Sequence, residues 1–205
     1  MKKQQSGFTL IEIAIVLVII GLLLGGVLKG QEMINNSKIK RAVNDFNGVA
    51  AATYSYLDRY SSFPGDDNNA ATTLRWGVPG GNGNGVIGAN GCNNVGGNEE
   101  SRFWVHLRNS GLVSGSTTDT NTTGRARPKS AFGGILCVEN NAYRIGGTVV
   151  CTNQVDGKFA EIIDRQMDDG DALTGSVQGS TAAPGNPANG AAYVQGTVGW
   201  LCSQL

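Results

Sequence analysis

Residues 6–14 read SGFTLIEIA and lead into the most apolar stretch of the chain. From residue 8 to residue 28 the sequence is FTLIEIAIVLVIIGLLLGGVL, in which Glu12 is the only ionisable side chain. The stretch has the length of roughly 20 residues that a membrane-spanning helix needs. Because a carboxylate inside such a segment is costly and usually functional, Glu12 needs an explanation beyond simple membrane anchoring.

The segment that precedes the apolar run, residues 1–7, is short and basic and ends in Gly7. An ordinary secretory signal is cleaved after its apolar region, next to small residues. Here the small residue comes before that region, so cleavage after Gly7 would leave the apolar helix on the mature protein. Lys2 and Lys3 favour a cytoplasmic N-terminus, and we therefore expect most of the chain to be exported.

The block GFTLIE at residues 7–12, with basic residues before it and a long apolar helix after it, resembles the class III signal of type IV pilins and of type II secretion pseudopilins. The resemblance implies cleavage between Gly7 and Phe8 by a prepilin peptidase, followed by N-methylation of Phe8. It also implies that Glu12 is an assembly residue, which pairs with the Phe8 ammonium of a neighbouring subunit. Buried polar groups are known to fix register in this way.

The same resemblance implies an α+β, pilin-like fold, in which a long N-terminal helix packs on a small antiparallel sheet with long Gly/Asn-rich loops. The implied partners are further copies of the chain in a helical homopolymer, the prepilin peptidase, the inner-membrane assembly machinery and, before assembly, membrane lipid. The implied location is the bacterial inner membrane, with a single pass and a cytoplasmic N-terminus, and then a cell-surface filament.

Beyond residue 28 the apolar positions keep a helical period, and a breaker run at residues 61–65 predicts that the helix ends near Tyr60. We therefore expect a leader at 1–7, a protruding membrane or filament-core half at 8–28, an amphipathic half at 29–60 and a globular head at 61–205. Glycines within the first half allow either close helix packing or local unwinding. The predicted buried stripe of the second half is Ile39, Val43, Phe46, Ala50, Thr53 and Leu57.

The head is predicted to contain two helices and about four antiparallel strands. Asn98 is a plausible N-cap for the first helix and Gly111 a C-terminal stop. Residues 131–151 read as a hairpin with its turn at 139–141. A second helix around residues 159–167, a strand at 174–178 and a last strand within 192–202 complete the prediction.

The four cysteines, Cys92, Cys137, Cys151 and Cys202, all lie in the part expected to be exported. Their even number and the absence of a CxxC pair favour two disulfides over a zinc site or free thiols. Three pairings are open, of which we favour Cys137 with Cys151 and Cys92 with Cys202.

No other pattern predicts an enzyme, a cofactor or a metal site. Basic and acidic residues balance at 16 each, which gives no reason to expect direct nucleic-acid binding. The single histidine, His106, lacks a triad partner and is expected to be a surface or packing residue. The GxGxxG match at residues 83–88 lacks the flanking strand and helix of a dinucleotide site.

Two acidic stretches, at residues 66–67 and 168–171, offer carboxylates to calcium but lack the ligand spacing of an EF-hand loop. Asp and Gly together also simply form turns, so both interpretations stay open. The sequence thus favours a structural subunit of an extracellular type IV pilus. A secretion pseudopilin, or a minor pilin for adhesion or DNA uptake, is the alternative. Glu12 argues against a monomeric membrane-tethered binding protein.

Overall fold

The computed structural model describes residues 7, 9–72, 75–88, 92, 98–117, 127–184 and 190–205. Their first element is one continuous helix, α1 (Leu10–Tyr60). A short 3₁₀ helix (Asn68–Ala71) follows, and the remaining elements are α2 (Glu99–Asn109), β1 (Leu136–Asn140), β2 (Thr148–Asp156), α3 (Gly157–Met167), β3 (Val177–Ser180) and β4 (Val198–Gln204).

Helix α1 confirms the predicted long N-terminal helix to within two residues at its start and ends at the predicted Tyr60. The chain divides into two compact units, one up to Lys38 and one from Ile39 onwards. In the first unit the large apolar side chains of α1 are exposed. In the second unit α1 contributes one face to the core of the head.

The buried face of α1 within the head differs from the predicted stripe by about one residue position. Ile39, Phe46 and Thr53 are buried as predicted. Val43, Ala50 and Leu57 are only partly buried, and the face is completed instead by Ala42, Val49, Ala52 and Tyr56. Tyr56 shows why, because its hydroxyl donates to the buried Asp67 at 2.7 Å and turns this side of the helix toward the head.

The strands form one antiparallel sheet with the order β1-β2-β4-β3, which confirms the predicted class and strand number. Because successive side chains in a strand point to opposite faces, the sheet has two different surfaces. One face packs Val138, Val150 and Leu201 into the main core, together with Phe46 of α1 and Trp104 of α2. The other face carries the cysteines.

The predicted β1–β2 hairpin is present, but its turn lies at residues 141–147 rather than 139–141. Glu139 belongs to β1 and is fully buried. Asn141, with φ at 57°, closes the loop through two bonds with Gly147: its N–H donates to the Gly147 carbonyl, and its side-chain oxygen accepts the Gly147 N–H at 2.8 Å. An asparagine that tolerates left-handed backbone thus starts the turn two residues later than expected.

Strand β3 begins three residues later than predicted. The Asp168 carboxylate accepts the backbone N–H groups of Ser176 and Val177, which holds the preceding residues in a turn. The predicted helices are both found. Asn98 occupies the N-cap position of α2 without a capping side-chain bond, and Gly111, with φ at 73°, follows the end of that helix.

The favoured disulfide pairing is wrong: Cys92 is bonded to Cys137, and Cys151 to Cys202. Cys151 lies opposite both Cys137 in β1 and Cys202 in β4. Its Cα is 4.0 Å from that of Cys202, the close approach of a non-hydrogen-bonded antiparallel pair. The N–H and C=O of a strand residue point to the same side, so those of Cys151 point away from β4 and toward β1. Cys151 and Cys137 therefore form a hydrogen-bonded pair, in which the side chains lie further apart than in a non-hydrogen-bonded pair.

Candidate functional site

The candidate site is the start of α1, where the predicted processing and assembly residues come together. Gly7 is exposed, and among the described residues none lies within 4 Å of the place a side chain would occupy there. Phe8 lies outside the described residues, so its predicted role stays a prediction. Thr9 precedes the helix and Glu12 lies in its first turn, with its side chain exposed.

Thr9 and Glu12 are joined by three reciprocal hydrogen bonds. The Thr9 N–H and the Thr9 hydroxyl both donate to Glu12 Oε2, at 2.8 Å and 2.7 Å. In return the Glu12 N–H donates to Thr9 Oγ1 at 3.3 Å. This is a capping box, in which an N-cap Thr and a Glu three residues later satisfy two backbone donors that have no helical partner.

The capping box places the Glu12 carboxylate at the positive end of the helix dipole, where a negative charge is favoured. Both Thr9 donors bind Oε2, and Oε1 accepts no hydrogen bond from any described residue. Thr9 therefore binds the carboxylate through one oxygen, and no described residue binds the other. Sequence reasoning missed Thr9, although the T-x-x-E spacing at residues 9–12 is the known pattern of a capping box.

The surroundings of Glu12 are apolar and suited to a bilayer or to other helices. Leu10, Ile11 and Ile13 are all exposed, as are the large side chains of the next four turns. Among the described residues, α1 is the one helix long and apolar enough to cross a membrane. A carboxylate on this surface is an attractive partner for a cation that arrives in the same apolar surroundings.

The glycine-rich segment at residues 83–88 is a loop, and its donors are already used. The backbone N–H groups of Gly83, Asn84 and Gly85 all donate to the carboxylate of Asp66, over 2.7–3.2 Å. Successive N–H groups of this kind form an anion-binding nest. Here the nest holds the chain's own buried carboxylate, an arrangement that sequence reasoning missed.

The acids proposed for calcium are bound by their own loops. Asp164, Asp168 and Asp169 lie close enough for their oxygens to be within 4.8 Å of one another, whereas Asp171 is not part of this group. Asp164 is buried and accepts from the Tyr193 hydroxyl at 2.7 Å, and Asp169 accepts from Thr174. Since each carboxylate already receives loop donors, we assign no metal to the cluster.

Of the two roles predicted for His106, a surface residue or a packing residue, the structure shows the packing residue. It is fully buried, and burial lowers its pKa from the ordinary value. Nδ1 accepts the Gly65 N–H at 2.9 Å, which leaves Nε2 to donate to the Pro79 carbonyl at 3.0 Å. The neutral ring therefore joins two loop segments to α2.

A second buried polar group in α2, Glu100, was not foreseen. It is 3 % exposed, and neither of its carboxylate oxygens has a hydrogen-bond partner among the residues that the structure describes. Burial raises its pKa, and repulsion from Glu139 and Glu99 adds to that, while Arg127 acts in the opposite direction. Arg127 and Glu139 also hold the backbone of Cys92, through its carbonyl and its N–H.

Comparison with known families bears on the start of α1. A family model described as the prokaryotic N-terminal methylation motif matches residues 2–28. No curated protein and no solved structure matches the chain. The chain thus carries a signal of the type IV pilin and pseudopilin family, and its α+β architecture is pilin-like. The motif indicates a structural protein rather than an enzyme, processing by prepilin peptidase, and assembly into filaments from an inner-membrane anchor.

Proposed function

We propose that the chain is the structural subunit of an extracellular type IV pilus filament. Prepilin peptidase removes the leader at residues 1–7, Phe8 becomes the N-methylated terminus, and residues 8–28 hold the subunit in the inner membrane before assembly. Residues 29–60 then connect this half of the helix to the head at 61–205. The observation that carries the proposal is the position of Glu12, the lone acid of the apolar run, fifth in the chain after the proposed cleavage site.

The proposed assembly contact is an ion pair between subunits. Cleavage before Phe8 creates an α-ammonium group on the same apolar surface as Glu12. Each charge is costly in lipid by itself. When the ammonium of one subunit meets the Glu12 carboxylate of its neighbour, both charges are compensated and the axial register is set. Repetition of this head-to-tail, non-closing contact builds a helical fibre.

The edges of the sheet support assembly through helices rather than through strand addition. An open edge strand presents unpaired backbone groups to other chains. Edge strand β1 is flanked by Cys92, which is tied to Cys137 by a disulfide. Edge strand β3 is flanked by the segment around Ala191, whose N–H donates to the Gly179 carbonyl at 2.9 Å. Exposed apolar surface is concentrated instead on the first half of α1.

The pilus is favoured over a secretion pseudopilus by the long, glycine-rich head with its two disulfides, which suit an exposed extracellular fibre. A pseudopilin or a minor pilin is the second candidate, and its subunit would stay in the inner membrane or at a filament tip. The location of the processed chain therefore distinguishes them.

The proposal is tested by replacing Glu12 with alanine in the producing cell and by measuring sheared filaments and membrane-bound subunit. Glu32→Ala is the matched control, because Glu32 is an exposed acid of the same helix whose partner is Lys29. We expect Glu12→Ala to abolish filaments while membrane insertion persists, and Glu32→Ala to assemble normally. Normal filament yield from Glu12→Ala would refute the proposed contact.

A further inference from the structure

A surface groove lies beside α1 within the head, in the compact unit that begins at Ile39. Its lining includes Arg41, Gly48, Lys129 and the buried Trp104 of α2. We call it the α1 groove. Its volume is about 360 Å³, which falls within the range of about 300–1,000 Å³ found for sites that hold ligands. At Gly48 no described residue lies within 4 Å of the place a side chain would occupy, so this wall is open.

The α1 groove offers positive charge and a hydrogen-bond donor to an occupant. Lys129 is exposed and forms no ion pair with any described residue. Arg41 is also exposed, and its ion pair with Asp45 is long, at 3.8 Å. Trp104 is 1 % exposed, and its indole Nε1 has no acceptor among the described residues. Because a buried donor without an acceptor is costly, the expected occupant carries acceptor oxygens and negative charge.

The head itself carries a segment with this chemistry, the acidic loop at residues 168–171 between α3 and β3. Its three aspartates, Asp168, Asp169 and Asp171, are exposed, and none forms an ion pair with a described residue. The loop is held in shape by its own bonds. The Asp169 carboxylate accepts the Asp171 N–H at 2.9 Å, and the Asp171 carboxylate accepts the Leu173 N–H at 3.0 Å. A segment that is already ordered loses less conformational entropy on binding.

We propose that the α1 groove of one subunit receives the acidic loop of a second copy of the chain. The contact rests on the proposed function, since a filament is what brings many heads side by side. Lys129 and Arg41 then face carboxylates that have no cation of their own, and such complementarity selects the partner and fixes its register. Because the groove and the loop are different surfaces of one chain, the contact is heterologous and repeats along a fibre without closing.

The experiment reverses the two charges singly and together and measures sheared filament per processed subunit in the membrane. Lys129→Glu and Asp171→Lys change exposed side chains, one on each surface. Lys158→Glu is the matched control, because Lys158 is an exposed lysine elsewhere on the head, in α3. We expect each single variant on the two surfaces to lose about tenfold in filament yield, because like charges then face each other.

The combined variant, Lys129→Glu with Asp171→Lys, restores opposite charges across the contact, and we expect its yield to return to within about twofold of the wild type. The control Lys158→Glu should assemble normally by itself and should not rescue Asp171→Lys, although that pair has the same net charge as the rescued one. Thermal unfolding of each detergent-solubilised variant shows whether its head is folded.

A second measurement reads the contact in wild-type filaments. A carbodiimide joins a lysine amine to a carboxylate without a spacer, so it should link Lys129 of one chain to Asp169 or Asp171 of another. We expect a ladder of covalent oligomers from the wild type and from Lys158→Glu, with the linked peptide pair identified by mass. The Lys129→Glu variant should lack that peptide pair.

The results that would overturn the groove contact differ from those that would overturn the proposed function. Wild-type yield from both single variants, or loss without rescue in the combined variant, would show that the groove contact is wrong, while failure of Glu12→Ala would leave the proposed function standing. A link from Lys129 that stays within one chain would identify another segment of the same subunit as the occupant and would also refute the contact. A wild-type chain that forms no filaments would overturn the proposed function, and the groove contact with it.

Discussion

Acidification should destabilise the head through one residue, His106. The neutral ring accepts the Gly65 N–H at Nδ1 and donates to the Pro79 carbonyl at Nε2. Protonation puts a hydrogen on Nδ1, so the bond to Gly65 is lost and two donors face each other. Losing a buried hydrogen bond in this way costs about 1–3 kcal/mol.

The direction of the effect follows from the lowered pKa of His106 in the folded protein, which is due first to burial. Asp67 nearby favours the charged ring, whereas Arg102 and Arg75 oppose it. Because the unfolded chain binds the proton more readily, the contribution of His106 to stability is complete above about pH 6.5. It is lost as the pH falls below that value, at up to about 1.4 kcal/mol per pH unit.

The assay is unfolding of the detergent-solubilised chain between pH 8 and pH 5, with His106→Asn as the control. Asparagine can still accept from Gly65 but does not titrate. We expect the wild type to lose up to about 1 kcal/mol more than the variant between about pH 6.5 and 5.5, or about 2–4 °C in Tm. Buried acids with raised pKa, such as Glu100, act in the opposite direction and are common to both proteins. Equal pH profiles for the two proteins would refute this role of His106.

Three further substitutions test the interior of the head by the same unfolding measurement. Glu100→Gln should stabilise the protein by about 1 kcal/mol at neutral pH and have no effect near pH 4. The pKa of Glu100 is raised in the folded protein, so the cost of ionising this buried carboxyl appears only as the pH rises above about 4.5. Destabilisation at neutral pH would indicate that the charge is paired. Asp66→Ala should cost about 1–3 kcal/mol, because it removes three hydrogen bonds and leaves the Gly85 N–H without an acceptor among the described residues, whereas Gly83 keeps the Asp66 carbonyl and Asn84 keeps the Asn82 side chain. Asp58→Ala on the exposed side of α1 should be close to neutral, and equal effects would contradict the nest. Phe46→Ala should cost about 3–5 kcal/mol, and the exposed Tyr54→Ala should stay within about 0.5 kcal/mol; the reverse order would mean that the buried face of α1 is misplaced.

Sequence reasoning succeeded where a single local pattern determines the structure. The apolar run and its helical continuation predicted α1 up to Tyr60 because one period persists along the whole segment. The buried stripe was shifted because residues spaced three and four apart border one another on a helix, and the choice among neighbouring stripes depends on tertiary contacts. Here the bond between Tyr56 and Asp67 is such a contact, and no local pattern reports it.

The parts that sequence reasoning missed depend on residues far apart in the chain. The disulfide pairing follows from β4 lying beside β2, so that Cys151 faces Cys202 across the sheet. The two strands are about 50 residues apart in the sequence, and the spacing of the cysteines does not indicate that they are neighbours in the sheet. The Asp66 nest likewise joins two separate loops. Thr9 is different, because it lies only three residues before Glu12, and the T-x-x-E pattern could have predicted their capping box.

The central claim, that the chain is a processed and assembled filament subunit, is tested most directly by the intact mass of the protein in a sheared cell-surface fraction, before and after reduction. The account predicts an abundant chain that begins at a methylated Phe8 and gains four hydrogens on reduction of its two disulfides. A processed chain confined to the inner membrane would contradict the pilus and favour the pseudopilin. A chain that still begins at Met1, in cells that process other prepilins, would contradict the account as a whole.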